Sequence, residues 1–185
     1  RLNKAILLCL LLTIAGQSVA RINYQNKTRL NDGWEFLRSD LGSIWEAVRP
    51  AAKGSSETVP LWTNVTLPHC FNAEDAVDPD VHYYQGPGWY KKMLEVNSPY
   101  SNGRTILHFE GAGQKTEVYI YTQKVGSQVG GYDEWSVDIT DAINDFLKLE
   151  DAKRFKGKIP LSIRCDNTRD TEMIPSDLSD FNVYG

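Results

Sequence analysis

Short runs of strand-forming residues, separated by turn signals, are the feature of this sequence that most restricts its fold. From residue 29 onward no apolar pattern with the 3.6-residue period of a long helix appears. The runs are instead five to eight residues long and rich in β-branched and aromatic side chains. They cover residues 29–36, 89–96, 105–109, 116–121, 135–139 and 159–165. Such a series predicts an all-β domain, either a sandwich or a barrel.

Two local features refine this prediction. The strand at 116–121 and the residues that follow it are expected to form a hairpin around Thr122 and Gln123. After the strand at 135–139, Thr140 is expected to cap a short helix that closes one end of the sandwich. The apolar residues on one face of that helix would be Ile143, Phe146 and Leu147.

The first twenty residues predict a secretory signal peptide. Lys4 precedes an apolar run over residues 5–15, and Ser18-Val19-Ala20 offers small residues at the cleavage spacing. The run is shorter than the roughly 20 residues that a membrane-spanning helix needs, so we favour cleavage over a membrane anchor. Residues 21–185 would then form one exported domain, periplasmic or extracellular, that is not held in a membrane.

The charge of that mature segment restricts its partners. Without Arg1 and Lys4 the chain has 18 basic residues against 24 acidic ones, a net charge of −6. No cluster of lysine or arginine interrupts this acidic excess. Nucleic acid and anionic lipid are therefore not expected as partners.

Two cysteines remain in the mature segment, Cys70 and Cys165. They are far apart in sequence and lack the spacing of metal ligands. They could form a disulfide in an exported protein. However, Cys165 alternates with Leu161 and Ile163 on one strand face, so a buried free thiol is equally compatible with the pattern.

Acidic residues are numerous, but their spacing does not identify a catalytic pair. Most are flanked by turn residues, where a carboxylate usually bonds nearby backbone or faces solvent. The group Asp78, Asp80 and His82 could hold a cation, although a solvated loop explains it better. Neither a nucleophile elbow nor a phosphate-binding glycine loop is present, so we assign no catalytic residue, metal or cofactor. The acidic candidates considered are Asp75, Asp78, Asp80, Glu110, Asp133, Glu134, Asp177 and Asp180.

Five tryptophans supply flat apolar surfaces that could either fill a core or stack on a sugar ring. Trp34, Trp89 and Trp135 lie in predicted strands and are expected to be core residues. Trp45 and Trp62 lie in less regular segments, where an exposed role is also conceivable.

An ordered series of motifs covers nearly all of the mature chain. It resembles the amino-terminal sugar-binding domain of glycoside hydrolase family 2, which includes β-galactosidases, β-glucuronidases and β-mannosidases. The β-galactosidase branch is the most similar by these motifs. The resemblance implies a jelly-roll β-sandwich of the galactose-binding-domain type. The motifs are LNDGWEF (30–36), LPHCFN (67–72), YYQGPGWYKK (83–92), LHFEG (107–111), VG (125–126), GGY (130–132), DIT (138–140), DN (166–167) and DFNVYG (180–185).

The resemblance also implies functional residues. Asp180 matches the family position whose carboxylate reaches into the active site and accepts hydrogen bonds from sugar hydroxyls. Gln85 matches a second family position, an amide near the same sugar, and Asn182 is a weaker match. The two catalytic glutamates of the family lie on a later barrel domain, which is absent from this sequence.

Three interpretations follow from this pattern. In the first, the intact protein is an exported retaining glycosidase, a β-galactosidase, that acts on a carbohydrate substrate. The missing barrel would be the partner of this domain, and a homo-oligomer is also compatible with this interpretation. In the second, the chain is a stand-alone carbohydrate-binding module. In the third, it is a structural buttress that does not touch sugar.

Overall fold

The computed structural model describes residues 27–49, 60–75, 77, 78, 80–97 and 102–172. The expected signal peptide at 1–20 lies outside them. The strands are β1 (Trp34–Leu37), β2 (Thr63–Val65), β3 (Pro87–Leu94), β4 (Ile106–Phe109), β5 (Lys115–Ile120), β6 (Gln123–Val129), β7 (Trp135–Asp138) and β8 (Ile159–Asp166). The helices are α1 (Trp45–Val48), α2 (Thr140–Lys148) and a 3₁₀ helix (Glu150–Phe155). No helix of the described residues is both long and apolar enough to span a bilayer.

The strands form two antiparallel sheets, which confirms the predicted all-β sandwich. The larger sheet has six strands in the order β2-β1-β3-β8-β5-β6, and β4 pairs with β7 in the smaller one. Although β8 is the last of these strands along the chain, it lies between β3 and β5. Tyr90, Ile163 and Val118 are in register across these three strands, so their side chains share one face.

That shared face forms the main hydrophobic core. Strand β8 contributes every second residue to it, from Ile159 to Cys165, and each of these side chains is 7% exposed or less. Alternate residues of a strand share one face, which produces this spacing; Pro160 and Ser162 on the other face of β8 are buried as well. The other strands of the larger sheet add Trp34, Phe36, Tyr90, Leu94, Val118 and Ile120.

The three tryptophans predicted as core residues have different locations. Trp34 is buried in the main core, as predicted. Trp89 is also buried, but it lies on the opposite face of the larger sheet, where its indole N–H donates to Asp40 Oδ1 at 2.9 Å. Trp135 is half-buried and stacks on Phe109 with ring centroids 4.4 Å apart.

The two sheets pack closely where β6 faces β7. A Cβ atom added to Gly126 in β6 would lie 2.8 Å from Cγ2 of Val137 in β7. Carbon atoms in contact are normally 3.5–4.0 Å apart, so a larger residue at position 126 would have to displace the Val137 side chain. This close approach gives a physical reason for the Val125-Gly126 motif.

Helix α2 covers one end of the core, as predicted, but two details of the prediction are wrong. Leu147 is 48% exposed, and Ala142 is buried beside Ile143 instead. Thr140 does not cap the helix with its side chain. Asp138 does so from the preceding strand, because its Oδ1 accepts the N–H of Thr140 at 2.9 Å.

The hairpin between β5 and β6 differs from its prediction by one residue. Its turn residues are Tyr121 and Thr122, because Gln123 already belongs to β6. Tyr121 has a φ of 55°, which is uncommon for a bulky residue. Its ring is buried 5.2 Å from that of Phe146, and its hydroxyl donates to Asp151 Oδ2 at 2.6 Å. These contacts hold Tyr121 in a conformation that its local sequence does not favour.

The two cysteines are both free thiols. Cys165 is buried in the core beside Thr116, and burial raises the pKa of its thiol to about 11. Of the two alternatives raised by the strand pattern, the structure supports the buried thiol.

We expect Gly126→Ala to destabilise the chain by about 1–3 kcal/mol, because the added methyl group must displace Val137. The measurement is the urea unfolding midpoint by tryptophan fluorescence. Gly111→Ala is the matched control, since its Cβ would lie 3.5 Å from the Gly131 carbonyl oxygen, an ordinary contact. When Val137 is also replaced by alanine, Gly126→Ala should lower the free energy of unfolding by less than it does alone. If Gly126→Ala were equally destabilising with valine and with alanine at position 137, the contact with Val137 would not be the cause.

Candidate functional site

Gln85, one of the two residues predicted to contact sugar, is exposed in the loop that leads into β3. The next residue, Gly86, donates its backbone N–H to Oδ1 of Asn167 at 2.8 Å, immediately after the end of β8. Asp180, the other predicted residue, and Asn182 lie outside the described residues. The structure therefore places Gln85 beside the end of the strand that precedes Asp180 in the sequence.

A group of polar side chains holds the loop that carries Gln85. We name it the Tyr84 clamp; its members are Arg38, Asn72, Asp75, Tyr84 and Asn167. They come from four separate parts of the chain, and Asn72, Asp75 and Asn167 are 2%, 8% and 5% exposed. Polar groups buried to this extent are stable only when hydrogen-bonded, so the clamp is a strong constraint on the loop.

The two asparagines of the clamp bind the main chain of Tyr84 directly. The Tyr84 carbonyl accepts hydrogen bonds from Nδ2 of Asn72 at 3.1 Å and from Nδ2 of Asn167 at 2.9 Å. The Tyr84 N–H donates to Oδ1 of Asn72 at 3.0 Å. An irregular loop without a pairing strand thus has its peptide groups satisfied by side chains.

Arg38 and Asp75 complete the clamp by pairing with each other. Arg38 donates to Asp75 Oδ1 at 3.1 Å and to Asn72 Oδ1 at 3.3 Å, and its guanidinium lies 5.0 Å from the centre of the Tyr84 ring. The hydrogen bond from Arg38 lowers the pKa of Asp75 below the usual 3.8, although burial opposes the shift. Asp75 is therefore ionised at neutral pH, and its role here is that of a structural anion.

A second polar group holds the end of β8 on the outer face of the larger sheet. Arg164 donates to Asp40 Oδ2 at 3.1 Å and to Asp166 Oδ2 at 3.1 Å. Burial acts to raise the pKa of Asp40, but hydrogen bonds from Arg164 and Trp89 lower it overall. The pair between Arg164 and Asp166 fixes the residue that precedes Asn167.

Other residues proposed from the sequence have local partners. Asp78 Oδ1 accepts the N–H of Asp80 at 3.0 Å, and Glu110 lies 3.4 Å from Arg29. Trp62 is half-buried, and the Lys91 ammonium lies 4.1 Å from the centre of its ring, so that face is already covered. Within the described ranges, no three His, Cys, Asp or Glu side chains form a group that could hold a metal ion.

Sequence reasoning missed the asparagines and the arginine of the clamp as a unit. Asn72 ends the LPHCFN motif and Asn167 ends the DN motif, while Tyr84 and Gln85 lie in the YYQGPGWYKK motif. Three separate motifs, one of them about 80 residues from the other two, therefore converge at one place. The presence of all three motifs in one sequence was the only signal of the clamp, and only the fold shows that their residues are hydrogen-bonded to one another.

We expect the stabilisation that the clamp provides to be lost in acid. We also expect Asp75→Asn to make the stability of the chain depend less on pH. Because the pKa of Asp75 is lower in the folded than in the unfolded chain, its contribution is fully present above about pH 4 and is lost as the pH falls through the folded pKa. Urea midpoints at pH 5 and pH 3 should differ less for Asp75→Asn than for the unchanged chain. Arg38→Met, which removes the cation, should also reduce the difference. If both variants showed the same difference in urea midpoint between pH 5 and pH 3 as the unchanged chain, the ion pair between Arg38 and Asp75 would not be the cause.

Comparison with known proteins agrees with this architecture. Residues 23–148 match the family model described as the sugar binding domain of family 2 glycosyl hydrolases. The crystal structure of a Parabacteroides merdae β-glucuronidase is 72% identical with a TM-score of 0.82, over 86% of this chain and 20% of that one. Among curated proteins, a Bacteroides fragilis β-glucuronidase is 30% identical over 121 residues, which are 65% of this chain and 16% of that protein. A Thermoanaerobacterium thermosulfurigenes β-galactosidase is 27% identical over 119 residues, 64% of this chain and 15% of its own length.

This chain thus spans about a fifth of the length of the proteins it matches. The family model covers more than half of the chain, and the observed all-β sandwich is the fold class that the resemblance implies. The chain therefore belongs to glycoside hydrolase family 2, as a member of its sugar-binding domain family.

Proposed function

We propose that this chain is the amino-terminal sugar-binding domain of an exported, retaining β-glucuronidase. The observation that carries the proposal is the similarity to the Parabacteroides merdae β-glucuronidase, at 72% identity and a TM-score of 0.82. The domain would form one wall of a sugar site, and the chemistry would take place on a barrel in the remainder of the protein.

The choice of a glucuronide over a galactoside rests on the relatives. The motifs alone favoured the β-galactosidase branch, whereas the curated relatives are named β-glucuronidase more often than β-galactosidase. The two sugars differ at C6, where a glucuronide has a carboxylate and a galactoside a hydroxymethyl group. The substrate that we propose is therefore an anionic sugar linked to an aglycone.

Within the domain, Gln85 and Asp180 are the proposed contacts to the sugar. A carboxylate accepts hydrogen bonds from hydroxyl groups strongly, and an amide both donates and accepts. Neither group needs to react, because in a retaining enzyme two other carboxyl groups, about 5–5.5 Å apart, act as nucleophile and as acid and base. The location of Gln85 beside the end of β8 supports this role, since Asp180 follows β8 in the sequence.

Export is proposed from the composition of residues 1–20. Amino-terminal sequencing of the protein recovered from the periplasm or the medium should begin at Arg21. Recovery only from the cell interior, with residues 1–20 still attached, would contradict this part of the proposal.

The whole enzyme in which this domain is proposed to lie should prefer glucuronides. We expect kcat/KM for p-nitrophenyl β-D-glucuronide to exceed that for the matching galactoside by at least about 100-fold, because a site built for a carboxylate leaves polar groups unpaired with a neutral sugar. A preference for the galactoside would support the β-galactosidase alternative. A stop codon directly after Gly185 would support the stand-alone binding module.

In the same enzyme Asp180→Ala should lower kcat/KM by about 10- to 100-fold, since a hydrogen bond to a charged group contributes roughly 1.5–3 kcal/mol. Gln85→Ala should have a smaller effect in the same direction. Asp170→Ala is the matched control, because that carboxylate precedes Asp180 in the same segment and is already paired with Lys115 at 2.8 Å. If Asp180→Ala and Gln85→Ala both behaved like the control, the domain would be only a structural buttress.

A further inference from the structure

Both peptide groups that flank Gln85 are bound by one buried side chain. The carbonyl of the peptide that joins Tyr84 to Gln85 accepts a hydrogen bond from Asn167 Nδ2 at 2.9 Å. The N–H of the peptide that joins Gln85 to Gly86 donates to Asn167 Oδ1 at 2.8 Å. The backbone N–H of Asn167 also donates to the Gly86 carbonyl, at 3.3 Å. The asparagine amide therefore pairs with the loop as a neighbouring strand would.

The same loop is also bound by Asn72, whose amide contacts the carbonyl and the N–H of Tyr84. Gly86 fits between these supports only as a glycine. Its φ is +150°, and an added Cβ would lie 2.8 Å from the Tyr84 hydroxyl oxygen. The path of the main chain through Gln85 is thus defined, although the Gln85 side chain is exposed.

We propose that Asn167 is a positioning residue for sugar binding, which sets the location of Gln85 relative to the end of β8. This inference rests on the proposed function, in which Gln85 and Asp180 contact the same sugar. Asn167 is 5% exposed and has its amide occupied by the loop, so it acts through Gln85. Asn72 binds the Tyr84 main chain in the same loop and is the second member of this positioning pair.

An asparagine is required at position 167 because both of its amide atoms are used. Aspartate keeps an acceptor for the Gly86 N–H but has no donor for the Tyr84 carbonyl, and its charge repels that oxygen. Asn167→Asp is therefore expected to weaken the hold on the Tyr84 carbonyl, which keeps Asn72 Nδ2 as a donor at 3.1 Å, with little change in side-chain volume. Asn72→Asp removes the other donor to the Tyr84 carbonyl and keeps the acceptor for Arg38.

The test is steady-state kinetics of the full-length enzyme with p-nitrophenyl β-D-glucuronide. Asn167→Asp should raise KM by about 3- to 10-fold, the effect of losing one ordinary hydrogen bond that holds a ligand contact, with kcat changed less than KM. The double variant Asn167→Asp with Gln85→Ala should have the KM of Gln85→Ala alone, because Asn167 acts through Gln85. Ile163→Val, a core change in β8 that does not touch the loop, should lower the melting temperature and leave KM unchanged.

The outcomes separate this proposal from the proposed function. If Gln85→Ala raises KM but Asn167→Asp only lowers the melting temperature, or if the two effects multiply in the double variant, the positioning role is wrong. If Gln85→Ala leaves KM unchanged, the sugar contact itself is wrong and the positioning role fails with it. Should Asn167→Asp not fold, the same comparison is made with Asn72→Asp, and an unchanged KM there overturns the proposal.

Discussion

The pairing of β8 with β3 on one side and β5 on the other is the interaction on which the remaining structure depends. Without it the order of the larger sheet would separate into β2-β1-β3 and β5-β6. The inward residues of β8 fill the core, and its outward Arg164 binds Asp40 and Asp166. Because β8 is paired along its whole length with β3, the residues directly after it are brought to the loop that precedes β3. The architecture and the candidate site therefore share one cause.

Much of this fold could be predicted from the sequence, because alternation of apolar and polar side chains reports directly on a half-buried strand. Strands β3, β5, β7 and β8 lie where that pattern placed them, within a few residues. The errors occur where tertiary contacts outweigh local preference. Tyr121 occupies a turn because its ring is buried under α2, and Asp138 caps α2 because the strand before the helix directs it there. Trp89 is buried outside the main core because the loop with Asp40 covers it.

The candidate site was predictable only in part. A resemblance in motifs identified Gln85, and the fold places this residue beside the end of β8. The side chains that hold it were not predicted, because Asn72 and Asn167 are separated in sequence and neither forms a periodic pattern. Asp75 was considered as an isolated acid, whereas its partner Arg38 lies in a different segment. The motifs also could not select between a glucuronide and a galactoside, since most of these residues have scaffold roles.

The Tyr84 clamp separates Gln85, the residue proposed to contact a sugar, from the residues that hold the loop. Asn72 and Asn167 bind main-chain atoms, which every amino acid except proline provides alike, while the side chain at position 85 is exposed. A change of residue at position 85 would alter the chemistry offered to a ligand and leave the hydrogen bonds of the loop in place. Such an arrangement lets one scaffold acquire a new ligand preference at little cost in stability.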